Sequence, residues 1–167
     1  MCGLAGYLDS AGSFGTQNGM VLVGRMASAL AHRGPDDAGG WVEGSVALAH
    51  RRLAILDLSQ AGHQPMQSAD GRYVLVFNGE IYNHLDLRIQ LGNAGAAPAW
   101  RGYSDTETML AVIGAWGIAN ALRRFVGMFA FALWDREEFR LILARDRMAR
   151  SRSITVGRAK HSCSVPN

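Results

Sequence analysis

Short apolar segments bounded by turn-forming residues are the feature that most limits how this chain can fold. Segments of this length, rich in Val, Leu, Tyr and Phe, are typical of β-strands, whereas helices show a longer apolar periodicity. The predicted strands cover residues 4–8, 40–42, 46–50, 53–56, 73–77, 128–134 and 139–144. We expect the last two strands to form a hairpin, and we expect Asn78-Gly79, a common turn pair, to end the strand at 73–77.

Helical patterns occur mainly after these strands. The predicted helices cover residues 21–30, 84–91, 105–116 and 118–124. Asn83 stands where it could cap the second helix, and Ser104 with Glu107 three residues later forms a capping box for the third. Strands followed by grouped helices indicate an α+β domain whose sheets are covered by helices.

Composition indicates one domain. The chain has 167 residues, of which 49% are hydrophobic, which is enough for one substantial core. The net charge of +3 comes from the end of the chain, where residues 149–167 contain Arg150, Arg152, Arg158 and Lys160 but no Asp or Glu. In the rest of the chain acidic and basic residues nearly balance, so we expect no nucleic-acid partner.

The sequence also predicts a cytoplasmic location. No apolar run reaches the roughly 18 residues that a membrane span requires. The start of the chain carries no basic segment before an apolar one, so we expect no signal peptide. Cys2 and Cys163 stand at opposite ends and indicate no disulfide framework.

Cys2 is the residue with the most distinctive chemistry. A small residue at position 2 permits removal of Met1, which would leave a thiol and a free α-amine on Cys2. The amine, with an ordinary pKa of about 7.7–8.0, could then act as the base for its own thiol, whose ordinary pKa is about 8.5. For an isolated cysteine, a structural role in a buried strand is the more common case.

Six sequence segments, in order along the chain, favour a catalytic role for Cys2 over a structural one. They are MCGLAGY at 1–7, HRGPD at 32–36, AHRRLAILD at 49–57, NGEIYN at 78–83, SDTE at 104–107 and GMFAFALWD at 127–135. Together they resemble the class II glutamine amidotransferases, and in combination the glutamine-dependent asparagine synthetase branch of that family. The resemblance implies the four-layer αββα sandwich of N-terminal-nucleophile amidohydrolases over residues 1–148.

The same resemblance implies roles for individual residues. The Cys2 thiolate attacks the side-chain amide carbon of glutamine, and the Asn78 side-chain amide with the Gly79 backbone N–H stabilises the oxyanion. One such donor is worth about 2.7–4 kcal/mol. Arg52 binds the substrate carboxylate and Asp105 binds its ammonium group. Further pocket residues in the family correspond to Leu53, Ala54, Ile55, Leu56 and Glu80.

Several of these assignments have simpler alternatives. Arg51 is adjacent to Arg52, so one of the two could be a plain surface charge; Arg52 is preferred because it directly precedes Leu53. Asp105 could be only a first-turn residue favoured by the helix dipole. No set of His, Cys or carboxylate residues has metal-ligand spacing, so we expect no metal site. His63 and His84 are predicted to be structural.

The resemblance ends near Met148. The family continues with Gly-Glu-Lys-Pro-Leu-Tyr-Tyr-Gly, and deletion of one G from codons for Met and that stretch yields residues 148–156 as they stand. We therefore interpret residues 149–167 as a frameshifted tail and expect it to be disordered, leaving the fold incomplete at its C-terminal end. Reading the coding DNA across codon 148 tests this hypothesis.

The chain also lacks the SGGxDS phosphate loop of the family's synthetase domain. ATP and Mg²⁺ would serve that missing domain, so we expect no cofactor here, and glutamine and the synthetase domain are the expected partners. Two alternatives stay open: a related amidotransferase with another ammonia acceptor, and an inactive truncated fragment. A homodimer is also compatible with the sequence.

Overall fold

A computed structural model describes residues 2–9, 15–54 and 60–146. The strands are β1 Gly3–Leu8, β2 Asp37–Glu43, β3 Val46–Arg52, β4 Met66–Gln67, β5 Tyr73–Ile81, β6 Gly127–Asp135 and β7 Arg140–Arg145. The helices are α1 Thr16–Ala29, α2 His84–Asn93, α3 Asp105–Trp116 and α4 Ile118–Arg124, with short 3-10 turns at Ala31–Arg33 and Gln60–Gly62.

The strands form two antiparallel sheets. The first sheet has the order β1-β3-β2, and the second has the order β4-β5-β6-β7. The predicted α+β class is confirmed by this mixture of antiparallel sheets and helices. Among the described residues no helix is long and apolar enough to cross a membrane.

Alternating side chains along β3 and β5 divide the core into apolar clusters. Val46 and Leu48 of β3 pack with Val74 and Val76 of β5 between the two sheets. The intervening residues of β3, Ala47 and Ala49, pack against α1, while those of β5 pack with α2, α3 and α4. Because successive strand residues point to opposite faces, each of these strands supplies both of its neighbouring layers.

Two predicted helix starts need correction or refinement. Helix α1 begins at Thr16, five residues before the predicted start, because its first turn is mostly exposed and therefore carries no apolar pattern. Asn83 lies at the N-cap position of α2, but its side chain does not cap the helix. The Asn83 amide bonds instead to Arg124 and Val126 in the connection from α4 to β6.

The capping box of α3 is half confirmed. The Ser104 hydroxyl accepts a hydrogen bond from the Glu107 N–H at 3.2 Å, as predicted. The Glu107 carboxylate instead accepts hydrogen bonds from Arg101 and Gly102. The bounds predicted for α4 and the β6–β7 hairpin are confirmed to within a residue or two.

The predicted turn at Asn78-Gly79 is wrong. Both residues lie inside β5, which pairs with β6 as far as Ile81 opposite Gly127. The predicted strand at 53–56 is wrong for Leu53 and Ala54, which follow the end of β3, while Ile55 and Leu56 lie outside the described residues. The predicted tail at 149–167 lies outside them too and stays a prediction.

Candidate active site

Strand parity places three of the predicted site residues in one layer. Arg52 continues the face of β3 that carries Val46 and Leu48, and Asn78 continues the face of β5 that carries Val74 and Val76. Cys2 precedes Leu4, which packs against the same cluster. Because side chains two residues apart share a face, Cys2, Arg52 and Asn78 all belong to the inner layer between the sheets.

The Cys2 thiol lies at the end of β3. Its Sγ accepts a hydrogen bond from the Leu53 N–H, with nitrogen and sulfur 3.3 Å apart, and lies 3.6 Å from the Leu53 carbonyl oxygen. The pairing of Gly3 with Arg51 sets this position. The thiol is free and only partly buried. The predicted nucleophile is thus held in place by Leu53, a residue predicted to line its substrate pocket.

The backbone that holds Cys2 is itself held by Asp36. The Asp36 carboxylate accepts a hydrogen bond from the Ala54 N–H at 2.8 Å, and the Asp36 N–H donates to the Arg52 carbonyl at 3.0 Å. Asp36 belongs to the HRGPD segment, so this segment braces the end of β3 from both sides of Leu53. In the sequence, Asp36 is marked only as the last residue of the HRGPD segment, and nothing there predicts this role.

The side chains of the adjacent residues Arg51 and Arg52 lie on opposite faces of β3. Arg52 is buried on the inner face, where a Cβ added at Gly62 would collide with its guanidinium group. Arg51 instead shares the face of Ala47 and Ala49. This geometry favours Arg52 over Arg51 as the cation nearer to Cys2.

Gly79 occupies a position where only glycine fits. Its φ of +151° is a conformation that side-chain-bearing residues rarely adopt, and an added Cβ would collide with the Met128 carbonyl and with Phe129. The preceding Asn78 is buried at 7% exposure. Within the described residues, no hydrogen bond of its side-chain amide is seen.

Asp105 begins α3 and lies against the end of β5. Its carboxylate accepts a hydrogen bond from the Ile81 N–H at 2.9 Å. Burial raises the pKa of Asp105, and the neighbouring Glu80 raises it further, whereas the Ile81 bond and His84 lower it. Asp105 is therefore a first-turn helix residue that is also fixed beside Glu80, another predicted pocket residue.

Two buried polar residues that the sequence did not single out contact β5 next to Asn78. The His50 Nε2–H donates to the Phe77 carbonyl at 3.0 Å, and burial lowers the pKa of His50 to about 4. The Gln64 side-chain oxygen accepts from the Phe77 N–H at 2.6 Å. His50 stands in the AHRRLAILD segment and Gln64 in none of the six segments, and neither spacing predicts a bond to Phe77, which depends on the fold.

Other features lie apart from this layer. An open groove of about 830 Å³ runs between α3 and residues 67–71 and 95–101, and none of the predicted site residues that the structure describes lines it. In the part of the chain that the structure describes, no group of three or more His, Cys, Asp or Glu side chains could hold a metal ion. His63 pairs with Asp37 at 2.7 Å, which helps to keep the pKa of Asp37 low despite burial.

Comparison with known proteins gives the family. A family model described as "Glutamine amidotransferase domain" matches residues 1–154, which extends six residues past the predicted boundary at Met148. Asparagine synthetase [glutamine-hydrolyzing] 2 and 3 of Bacillus subtilis (strain 168) are 37% and 36% identical to this chain. These matches cover 88% and 89% of this chain but 19% and 24% of the relatives.

A Mycobacterium tuberculosis (strain ATCC 25618 / H37Rv) protein, whose name assigns it provisionally to the glutamine-hydrolysing asparagine synthetases, is 42% identical over 159 residues. That match covers 87% of this chain and 24% of the relative. The chain thus spans about a quarter of the length of such relatives or less. With a family match over most of its length and the Cys2, Arg52 and Asn78 segments in one layer, the chain belongs to the glutamine amidotransferase domain family.

Proposed function

We propose that this domain hydrolyses glutamine to glutamate and ammonia through a thioester on Cys2. The observation that carries the proposal is the position of the Cys2 sulfur, 3.3 Å from the Leu53 nitrogen at the end of β3, in the layer that Arg52 and Asn78 also enter. In this proposal the α-amine of Cys2, exposed by removal of Met1, takes the thiol proton and transfers it to the departing ammonia. Water then cleaves the thioester and releases glutamate.

The oxyanion of each tetrahedral intermediate would be bound by the Asn78 side-chain amide and the Gly79 N–H. The buried amide of Asn78, for which no bond to another described residue is seen, supports this role, because fixed donors need no reorganisation when the charge develops. Gly79 supports it as well, since only a residue without a side chain fits its conformation. Loss of either donor should reduce kcat rather than weaken substrate binding alone.

Glutamine would be held by its two charged ends. Arg52, buried on the inner face, would pair with the carboxylate, and Asp105 with the ammonium group. Leu53, Ala54, Ile55, Leu56 and Glu80 would line the remainder of the pocket. The bond from Ala54 to Asp36 supports a fixed backbone along the described part of that lining.

We also propose that the fold is the αββα sandwich of the N-terminal-nucleophile amidohydrolases. The apolar clusters support it, since α1 packs on one sheet, the two sheets pack together, and α2, α3 and α4 pack on the other sheet. In a longer protein, the ammonia would amidate aspartate in an ATP- and Mg²⁺-dependent synthetase domain. A cytoplasmic setting suits this chemistry, because a nucleophilic thiol must stay reduced.

The test is a glutaminase assay on the purified chain beside Cys2→Ala. Coupled detection of glutamate and ammonia should show equal amounts of both products for the wild type and neither for the variant. Intact mass should also show that Met1 has been removed. Equal rates for the two proteins would overturn the nucleophile assignment, and retained Met1 in an active chain would overturn the role of the α-amine.

A further inference from the structure

The strongest unassigned feature is the backbone of Phe77, whose N–H and carbonyl each form a hydrogen bond with a buried side chain. Its N–H donates to the Gln64 side-chain oxygen at 2.6 Å, and its carbonyl accepts from His50 at 3.0 Å. All three residues are at least 95% buried. The residue that follows is Asn78, the proposed oxyanion donor. The His50 bond acts on the peptide group that joins Phe77 to Asn78, and the Gln64 bond acts on the peptide group before it.

Strand register explains why Gln64 occupies this place. Strand β4 pairs Met66 with Leu75 and Gln67 with Val74 and extends no further along β5. Continued by two residues, the same register would set Gln64 opposite Phe77, but Pro65 has no N–H and β4 has already ended. The side-chain oxygen of Gln64 therefore accepts the hydrogen bond that a backbone carbonyl of β4 would otherwise accept.

The second end of the Gln64 amide reaches α3. Its Nε2–H donates to the Thr106 hydroxyl at 3.3 Å, one residue after Asp105. Because the Phe77 N–H can donate only to the oxygen of the Gln64 amide, this bond determines that the amide nitrogen faces Thr106. Gln64 therefore ties the strand that carries Asn78 to the helix that carries Asp105.

His50 completes the arrangement from the other sheet. It lies on the inner face of β3 between Leu48 and Arg52, and its ring crosses the layer to the Phe77 carbonyl. A carbonyl can only accept, so the proton lies on Nε2 of the neutral ring. The bond to β3 fixes Phe77 relative to the strand whose end holds Cys2.

We propose that Gln64 and His50 are positioning residues that set the distance and angle between the Cys2 sulfur and the Asn78 amide. The proposal rests on the proposed function, because it requires Asn78 to be an oxyanion donor. Misplacement of a donor by a fraction of an ångström weakens binding of the oxyanion far more than binding of the substrate. Loss of the hydrogen bonds to the Phe77 N–H and carbonyl should therefore lower kcat with little change in KM.

The experiment is a double-mutant cycle on the full chain, with kcat and KM for glutamine measured for wild type, Gln64→Met, Asn78→Ala and the double variant. We expect Gln64→Met, similar in volume but without the amide, to lower kcat at least about tenfold. On the Asn78→Ala background the same change should have almost no effect on kcat. If Gln64 acts on kcat through Asn78, its replacement should have no further effect once the Asn78 amide is gone.

Two further variants separate positioning from stability. Gln64→Glu keeps an oxygen for the Phe77 N–H and a second one that the Thr106 hydroxyl can meet, so it should retain more kcat than Gln64→Met. Asp135→Asn removes a buried carboxylate that pairs with Arg72 at the opposite end of β5. It should lower Tm as Gln64→Met does while leaving kcat unchanged.

The outcomes are distinguishable. If Asn78→Ala leaves kcat intact, the oxyanion assignment in the proposed function fails and the positioning role fails with it. If Asn78→Ala lowers kcat but Gln64→Met lowers it equally in both backgrounds, the proposed function stands and the positioning role is overturned. An equal loss of kcat in Asp135→Asn would also overturn it, since general destabilisation would then account for the effect.

Discussion

The carboxylate of Asp105 accepts a hydrogen bond from the Ile81 N–H across 2.9 Å, which joins the first turn of α3 to the end of β5. Burial raises the pKa of this carboxyl above its ordinary value of 3.8. A group whose pKa is higher in the folded state binds its proton more tightly there, so its stabilising contribution declines as the pH rises through the folded pKa. Above the folded pKa, the ionised carboxylate of Asp105 therefore costs stability.

Asp105→Asn should separate function from stability. The amide oxygen of the substituted side chain can still accept from Ile81, so Tm at pH 7.5 should stay the same or rise. The KM for glutamine should increase by about tenfold or more, because a charge-assisted bond to the substrate ammonium is worth about 1.5–3 kcal/mol. Steady-state kinetics and thermal unfolding measure both quantities.

Glu107→Gln is the matched control for that experiment. Glu107 is buried two residues further along α3 and pairs with Arg88 and Arg101. Its neutralisation should lower Tm and leave KM unchanged, which is the opposite signature. A KM for Asp105→Asn equal to that of the wild type would show that Asp105 is only a helix-start residue.

The pH dependence of the unfolding free energy should reveal the lowered pKa of His50. Burial and the nearby Arg52 charge lower the pKa of His50 from 6.5 to about 4, so the folded chain takes up this proton only below that pH. Between pH 6.5 and 4 the unfolded chain binds the proton and the folded chain does not. The unfolding free energy should therefore fall as the pH decreases through this interval.

His50→Gln should remove that contribution while keeping an N–H donor for the Phe77 carbonyl. Urea denaturation at about pH 7 and about pH 5 should show that the wild type loses about 2 kcal/mol more stability than the variant. Parallel pH profiles for the two proteins would mean that His50 does not stay neutral in the folded state.

Asp36 should affect the substrate pocket through the backbone that it braces. Asp36→Ala removes the acceptor for the Ala54 N–H and releases the Leu53 segment that contacts Cys2. We expect a several-fold increase in KM with a loss of stability of about 1 kcal/mol, the value of an ordinary hydrogen bond. Asp36→Asn keeps an acceptor oxygen and should stay near the wild type; equal effects of the two changes would contradict the bracing role.

Local patterns predicted those parts of the fold that depend on neighbouring residues. The Ser104 cap, the bounds of α4 and the β6–β7 hairpin follow from capping chemistry and strand alternation. Asn78-Gly79 was wrong as a turn because pairing with β6 extends β5 through it. That pairing involves residues about fifty positions away, which no local propensity records.

The residues of the candidate site also divide into those whose roles the sequence predicts and those whose roles depend on the fold. Cys2, Arg52, Asn78, Gly79 and Asp105 stand in recognisable segments, and the described structure places each at the end or on the inner face of a strand or at the start of a helix. Gln64, His50 and Asp36 act on backbone groups instead. His50 and Asp36 stand in recognisable segments and Gln64 does not, but no spacing predicts these roles, because the partner of each residue is a backbone N–H or carbonyl elsewhere in the chain.

The most direct test of the account is to identify the covalent intermediate. The chain is mixed with glutamine, quenched in acid within the first turnovers and digested, and its peptides are examined by mass spectrometry. We predict one glutamyl group on the N-terminal peptide at Cys2, which neutral hydroxylamine removes as the hydroxamate and which is absent from Cys2→Ala. A glutamyl group on another residue, or glutamate release by Cys2→Ala at the wild-type rate, would contradict the account.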